Sequence, residues 1–377
     1  MQRSPHDLDV CLLADGIDAT TIGGVSRWAT DLAAHLPALR FATAPSRGDL
    51  PSARVYHALT PADAALAGRA VRVTGRPLLL TCHAMSAFWR PEGVAAFGLD
   101  SSAGGHPGKG HDGDHGKDTN WDDGDDHDQG KGNDKGGKAY FARERRGYAA
   151  ADLIGAVSET VALSHIAAGA PAGRMIVIPN GAPQTSSVAA PAEPLVGFVG
   201  RIAHVKGLPR LLRAMRLVRA ARPDARLVVI GPAEVSTAYL RRLRRLASDP
   251  GLRGGVRFVG PSRPEHWYPK LACLAMASET EGMPLVLLEA MAHGVPCVAP
   301  DVGGVRDTLG DAGVIVAPRD VDALAAGIVG VLDDATHAAR LAAAGRARAA
   351  RWTTADAAAA YAALYSQLGV SCRTSCC

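Results

Sequence analysis

Aromatic residues are scarce in this chain: 5 Trp, 7 Tyr and 6 Phe among 377 residues. Its basic residues therefore lack the interleaved rings that stack on bases, which disfavours nucleic acid as a partner. No apolar run reaches the roughly 20 residues that span a bilayer. The first residues, Met1 to Asp9, are polar, and the apolar run after them is too short for the core of a secretion signal. Charge of one sign is lacking too: 41 Lys and Arg against 37 Asp and Glu leave a net charge of +4. Arginines such as those within 210–222 and 241–245 read as solvated helix faces, with a weak preference for anionic ligands or an anionic membrane surface as the other reading. No predicted strand leads into a G-x-G-x-x-G with a downstream acidic residue, so a dehydrogenase is disfavoured. Cysteines number 7. Cys11, Cys82, Cys273 and Cys297 lie in or beside apolar runs and read as small core residues. Cys372, Cys376 and Cys377 crowd a polar tail in which no His or second cysteine pair completes a metal site. An odd count without a secretion signal points to a reducing, cytosolic setting.

What is present is a hydrophobic content of 47%, enough for two domains with separate cores. Strands are predicted at 10–14, 39–43, 54–57, 77–82, 153–157 and 175–178, with helices at 26–36, 61–73, 140–150 and 158–168. A second series has strands at 195–200, 226–230, 256–260, 271–277, 295–299 and 314–317. Its helices fall at 208–221, 239–246, 285–291, 320–332, 337–348 and 354–368. Strands alternating with helices argue for an α/β architecture of two doubly wound parallel sheets. The predicted division is 1–185, a linker at 186–194 rich in Ala, Pro and Ser, 195–353, and a final helix with tail at 354–377. Residues 100–138 are Gly, Asp, His and Lys with almost no apolar side chains, and read as a disordered insertion. Loose divalent-cation binding by its His and Asp residues is the lesser reading.

In such sheets ligands bind beyond the carboxyl ends of the strands. His83 follows the strand Leu78–Cys82 directly. Gly23 and Gly24 lie in a strand-to-helix turn, where glycine lets backbone approach a ligand. Arg201 and Lys206 follow the strand that opens the second domain, so one loop presents two cations to one anion. The stretch Ser278 to Ala299 reads strand end, loop, short apolar helix, glycine stop and strand. Gly282 permits a tight loop, Pro284 suits a first helical turn, and Gly294 with Pro296 ends the helix. Glu281 and Glu289 stand eight residues apart across it. At about 1.5 Å rise per residue this is roughly 12 Å, the scale of a ligand with two hydroxylated ends. Between them the N–H groups of Met283, Pro284's neighbour Leu285, and Val286 favour an anion. A buried helix with incidental glutamates is the plainer alternative.

Glu281-x7-Glu289 within EGMPLVLLEAMAHGVPCVAPDVGG resembles the signature of the retaining family 4 glycosyltransferases, which have the GT-B fold. The resemblance covers nearly all of 8–368 apart from the insertion and is strongest over 195–317. It implies two facing Rossmann-like domains with a cleft between them, and a last helix that crosses back to the first domain. It implies a sugar transferred with retention from a nucleotide-sugar donor, UDP-linked above others, to a glycan or lipid-linked acceptor. Arg201 and Lys206 would hold the diphosphate in place of a metal, so no metal or other cofactor is implied. Glu289 would accept from the ribose hydroxyls, Glu281 would bind the transferred sugar, and His83 would contact that sugar from the other domain. Gly23, Gly24, Gly282, Met283, Pro284 and Leu285 would line the donor, and Pro261 to Arg263 the base. The leaving phosphate itself would take the acceptor's proton. The segment YHALTPADAALAGRAVRVTGRPLLLTCHAMSAFWR resembles the Pel exopolysaccharide subgroup, although Cys82 and Ala84 stand where that subgroup is expected to have an acidic residue and a glycine. That likeness points to exopolysaccharide synthesis, in the cytoplasm or peripherally at the inner membrane face beside a membrane polysaccharide complex. A nucleotide-sugar epimerase on the same fold and a non-catalytic nucleotide-binding subunit are the rival readings.

Overall fold

A computed structural model describes residues 8–14, 24–44, 46, 49–86, 134–185 and 191–370. Gly23, the His- and Asp-rich run at 100–133, and the three tail cysteines lie outside the described residues. Two six-stranded sheets, parallel throughout, are each flanked by helices.

The first sheet takes β1 (Leu8–Leu13), β2 (Phe41–Ala44), β3 (Ala53–Ala58), β4 (Leu78–Cys82), β5 (Leu153–Ala156) and β6 (Met175–Val177). Their order is β2-β1-β3-β4-β5-β6. Its interior strands are apolar on both faces: Leu78, Leu79, Leu80 and Cys82 of β4 are all buried, the pattern of a sheet covered by helices on each side. The helices are α1 (Gly24–His35), α2 (Pro61–Thr74), α3 (Asp134–Ala150) and α4 (Glu159–Ala167). Thr60 caps α2 by accepting from the Asp63 N–H, with proline at the first helical position, and Ser158 caps α4 by accepting from the Val161 N–H. The start of α3 corrects the predicted insertion, because residues 134–138 are helical rather than part of a structureless run.

The second sheet takes β7 (Leu195–Val199), β8 (Arg226–Ile230), β9 (Val256–Gly260), β10 (Cys273–Ala275), β11 (Cys297–Pro300) and β12 (Val314–Val316), in the order β12-β11-β10-β7-β8-β9. Strand order reverses between β7 and β10. At such a reversal α/β sheets hold ligands, in a crevice beyond the carboxyl ends of the strands. Around it lie α5 (Leu208–Ala221), α6 (Thr237–Ala247), α7 (Leu285–Ala292), α8 (Val305–Leu309), α9 (Val321–Asp333) and α10 (Ala335–Ala349). Pro284 is the residue before α7, with extended backbone, and not part of its first turn.

The chain then returns. α11 (Thr354–Gln367) follows the second domain in sequence but packs on the first. Its Ala358, Tyr361, Leu364 and Tyr365 are buried with Trp28 and Leu32 of α1 and with Val10 and Leu12 of β1. The two passages between domains hold each other: the Ala182 N–H donates to the Trp352 carbonyl at 2.7 Å and the Thr354 N–H to the Ala182 carbonyl at 3.3 Å. Among the described residues no helix is long and apolar enough to cross a membrane.

Candidate active site

Loops leaving β7 and β10 meet at the strand-order reversal. The Glu279 N–H donates to the Val205 carbonyl at 2.8 Å. Gly207 comes so close that a Cβ there would stand 2.0 Å from the Ala277 carbonyl oxygen. This clasp brings Lys206 to Glu281, Nζ to Oε1 at 2.6 Å, with both side chains largely buried. A charge-assisted bond of that length fixes both groups at the mouth of the crevice.

Glycines then carry the Glu281 loop across to the other domain. A Cβ on Gly282 would meet the His83 carbonyl oxygen at 2.0 Å, one on Gly303 the Glu281 carbonyl oxygen at 1.9 Å, and one on Gly304 the Gly282 carbonyl oxygen at 1.7 Å. The Gly304 N–H also donates to the Glu281 carbonyl at 3.2 Å. Three backbone segments therefore touch without side chains between them. At the end of the loop Asn180, from the turn after β6, donates through Nδ2 to the Met283 carbonyl at 2.9 Å. On the far side of this contact the Thr160 N–H of α4 donates to Asp307 of α8 at 3.1 Å.

Two buried polar atoms beside this loop have no hydrogen-bond partner: His83 Nε2 and Asn180 Oδ1. Unsatisfied buried groups are uncommon and gather where a ligand is to supply the missing partner. Burial pushes the His83 imidazole down to about 3, so it meets a ligand as a neutral donor or acceptor. Its ring packs edge-on to Trp28, centroids 4.6 Å apart. Trp28 also packs edge-on against His57 and Tyr361. His57 in turn bridges the Tyr365 hydroxyl at 2.8 Å and Thr81 Oγ1 at 2.7 Å. The end of β4, and with it His83, is thus seated on a buried aromatic and polar cluster to which α11 contributes two tyrosines.

Glu289 lies on α7, almost wholly buried. Its Oε2 accepts from the buried Tyr268 hydroxyl at 2.5 Å, and its Oε1 lies 3.5 Å from Arg27 Nε. The same Arg27 guanidinium donates to Glu265, in the short turn Pro264–His266 that follows β9. Burial pushes the Glu289 carboxyl up, while Arg27 and the Tyr268 hydroxyl act against the rise. Burial also opposes the Arg27 charge, but Glu289, Glu265 and Asp31 outweigh it and raise the guanidinium above its usual range.

The structure thus brings Lys206, Glu281, Gly282, Met283 and His83 into one neighbourhood and places Glu289 across α7, reached from α1 by the residue next to Trp28. Arg201 is not drawn into the Lys206–Glu281 pair. Its guanidinium is hydrogen-bonded to Glu234, in the loop after β8, and both side chains are exposed. Gly24 starts α1. The Leu285 N–H belongs to the first turn of α7, where helix geometry leaves donors without intrahelical acceptors; Pro284 has no N–H, and the Met283 carbonyl and Sδ accept from Asn180. Sequence reading missed Asn180, Arg27, Glu265 and Tyr268. Only Asn180 carried a signal, its place just past a strand's carboxyl end. Among the described residues no group of three or more His, Cys, Asp or Glu side chains is disposed to hold a metal ion.

Comparison with known proteins adds to this geometry. Residues 16–181 match the model of a glycosyl transferase 4-like domain and residues 193–334 that of glycosyl transferases group 1. A GDP-mannose-dependent monoacylated alpha-(1-6)-phosphatidylinositol monomannoside mannosyltransferase of Corynebacterium glutamicum is 37% identical over 172 residues, 42% of this chain and 44% of the relative. The lipopolysaccharide core biosynthesis mannosyltransferase LpsB of Rhizobium meliloti is 33% identical over 189 residues, 47% of this chain and 53% of the relative. The chain spans about half the length of these curated relatives. Among solved structures, Anabaena HepE in complex with UDP-glucose superposes with a TM-score of 0.71 at 18% identity, covering 96% of this chain and 100% of that one. Sucrose-phosphate synthase from Thermosynechococcus elongatus does so with a TM-score of 0.73 at 19% identity, covering 96% and 99%. At those identities the likeness shows the fold.

Proposed function

Because the chain belongs to the family 4 type of glycosyltransferases, with the GT-B fold of two facing Rossmann-like domains, we propose that it transfers a sugar from a nucleotide-sugar donor to a glycan or lipid-linked acceptor, with retention at the anomeric carbon. The observation that carries this reading is the pair of orphaned polar atoms, His83 Nε2 and Asn180 Oδ1, set beside the loop that holds Glu281 against Lys206. A sugar's hydroxyls are both donors and acceptors, and supply what each atom lacks.

In this reading Lys206 meets the diphosphate as charge builds on its oxygens, and Arg201 joins it by leaving Glu234. The first turn of α7 adds its dipole toward the same anion. Glu281, released by Lys206 as the phosphate arrives, accepts from the sugar's hydroxyls and supports positive charge at the anomeric carbon. Glu289 accepts from the ribose, and neutral His83 contacts the sugar from the other domain. The departing phosphate takes the acceptor's proton, so no protein base and no metal enter the scheme.

The donor is proposed to be UDP-linked, in line with the UDP-glucose bound by HepE; the GDP-mannose dependence of the corynebacterial relative makes a GDP-linked donor the second candidate. The Pel-like segment supports an exopolysaccharide acceptor and a cytoplasmic enzyme working at the inner membrane face. A calorimetric panel of nucleotide sugars, followed by turnover with the donor that binds, tests the scheme. Glu281→Gln and Lys206→Ala are each expected to lower turnover by 100-fold or more with unchanged circular dichroism. Near-normal turnover in both would refute the site. Conversion of the donor without any acceptor would favour an epimerase, and tight binding without turnover a non-catalytic subunit.

A further inference from the structure

Resting on the reading of Glu289 as the ribose-side carboxylate, we propose that Arg27 reserves the nucleoside subsite: before the donor binds, its guanidinium stands in for the ribose hydroxyls, and the donor enters by displacing it. Among the described residues, Arg27 is the one ion-pair partner of Glu289 that comes from the opposite domain. One carboxylate oxygen of Glu289, Oε2, is held by Tyr268, a fully buried neighbour in its own domain. The other, Oε1, is held by Arg27. A ribose hydroxyl that donates to Glu289 must take one of the two oxygens, and the partner that yields is the weaker one. At 3.5 Å the Arg27 contact is longer than the roughly 2.7–2.9 Å of a strong charge-assisted bond, and Arg27 is 35% exposed on its side chain.

The second anchor, Glu265, lies just past the strand-end loop Pro261 to Arg263, beside which the base is expected. Arg27 therefore spans the gap between the ribose and base ends of the subsite. Its charge environment fits the same role. Asp31 stands one turn further along α1, so three carboxylates, Asp31, Glu265 and Glu289, share one guanidinium. Such a pocket tolerates a neutral hydroxylated ligand in place of the guanidinium only if Arg27 stays close enough to neutralise the remainder. Sliding onto Glu265 and Asp31 achieves that. Arg27 thereby sets the donor's apparent affinity, since its release from Glu289 is part of every binding event.

Removing Arg27 alone would leave three carboxylates facing an anionic diphosphate, which confounds the test. The double substitution Arg27→Gln with Glu265→Gln deletes one charge of each sign and leaves the local net charge unchanged. It is expected to bind UDP or GDP, whichever the wild type binds, 3- to 10-fold more tightly by calorimetry, with the donor KM falling and kcat changing less. Equal or weaker binding overturns the proposal. Glu289→Gln separates the two layers of the argument. A loss of nucleotide affinity of tenfold or more supports the ribose reading, so that failure of the double variant to tighten then counts against Arg27 alone. Wild-type affinity in Glu289→Gln sinks the ribose reading itself, and the proposal with it.

Discussion

His57 and His165 are each packed between two hydrogen-bond partners with almost no exposure, and the consequence is a sensitivity to acid. His57 lies between the Tyr365 hydroxyl and Thr81, and His165 between the Tyr148 hydroxyl at 2.7 Å and the Ala84 carbonyl at 2.9 Å. Burial holds both rings neutral. It drives His57 well below its usual range, with His83 adding to the effect, and pushes His165 down to about 4 although the Ala84 carbonyl works against it. Unfolded, both would titrate near 6.5. Below that value the unfolded chain binds protons that the folded chain refuses. The stability these groups contribute is intact above pH 6.5 and is lost as pH falls toward 4, at up to about 1.4 kcal/mol per group per pH unit. Thermal melting from pH 7.5 to 5 is expected to show a falling Tm, and His165→Gln a shallower fall. The mechanism needs none of these protons, so turnover at pH 7 should not follow the same curve.

At the scale of the element, the Glu281 loop is positioned by glycines more than by side chains. Gly303 has a left-handed φ of 51°, and its Cβ would stand 1.9 Å from the Glu281 carbonyl oxygen. Gly303→Ala therefore adds a conformational cost of about 1–2 kcal/mol to an overpacking cost of about 1–3 kcal/mol. The loop must shift, and nucleoside diphosphate affinity is expected to fall at least tenfold by calorimetry. Gly173→Ala, where an added Cβ would meet nothing within 4 Å, is the control expected to bind as wild type. The same glycines explain why much of this element was legible beforehand. Gly207 with Pro209 and Arg222 with Pro223 punctuate α5, and its observed span Leu208–Ala221 agrees with the predicted one. β8 and β9 agree as well, since short apolar runs between turn residues admit few other assignments. α3 was misjudged at its start because Asp134 to Lys138 carries no apolar periodicity of its own. Lys206 and Glu281 could be named because each follows a strand's carboxyl end. Arg27, Glu265 and Tyr268 could not: the Arg27–Glu265 pair joins residues 238 positions apart across the two domains, and the Tyr268–Glu289 pair joins residues 21 positions apart that only the folding of the second domain brings together.

For the molecule as a whole, α11 decides which residues count as one domain. By sequence it belongs to the second half; by packing it completes the first. The Tyr365 hydroxyl is the partner of His57 Nδ1, so Tyr365→Phe strands a buried polar atom at a cost of about 1–3 kcal/mol. A drop in Tm of several degrees is expected, together with a lower kcat at unchanged nucleotide affinity, because the seat of His83 loosens while the Lys206 and Glu289 contacts stay intact. Measuring both on one preparation separates the two effects. The crossing helix also has a bearing on how the protein is made. The amino-terminal lobe leaves the ribosome first, yet Tyr361 and Tyr365 are translated after the entire carboxyl-terminal lobe. Its aromatic core must wait, with Trp28 and His57 uncovered, until the whole carboxyl-terminal lobe has been synthesised, so the lobe made first is the one that closes last.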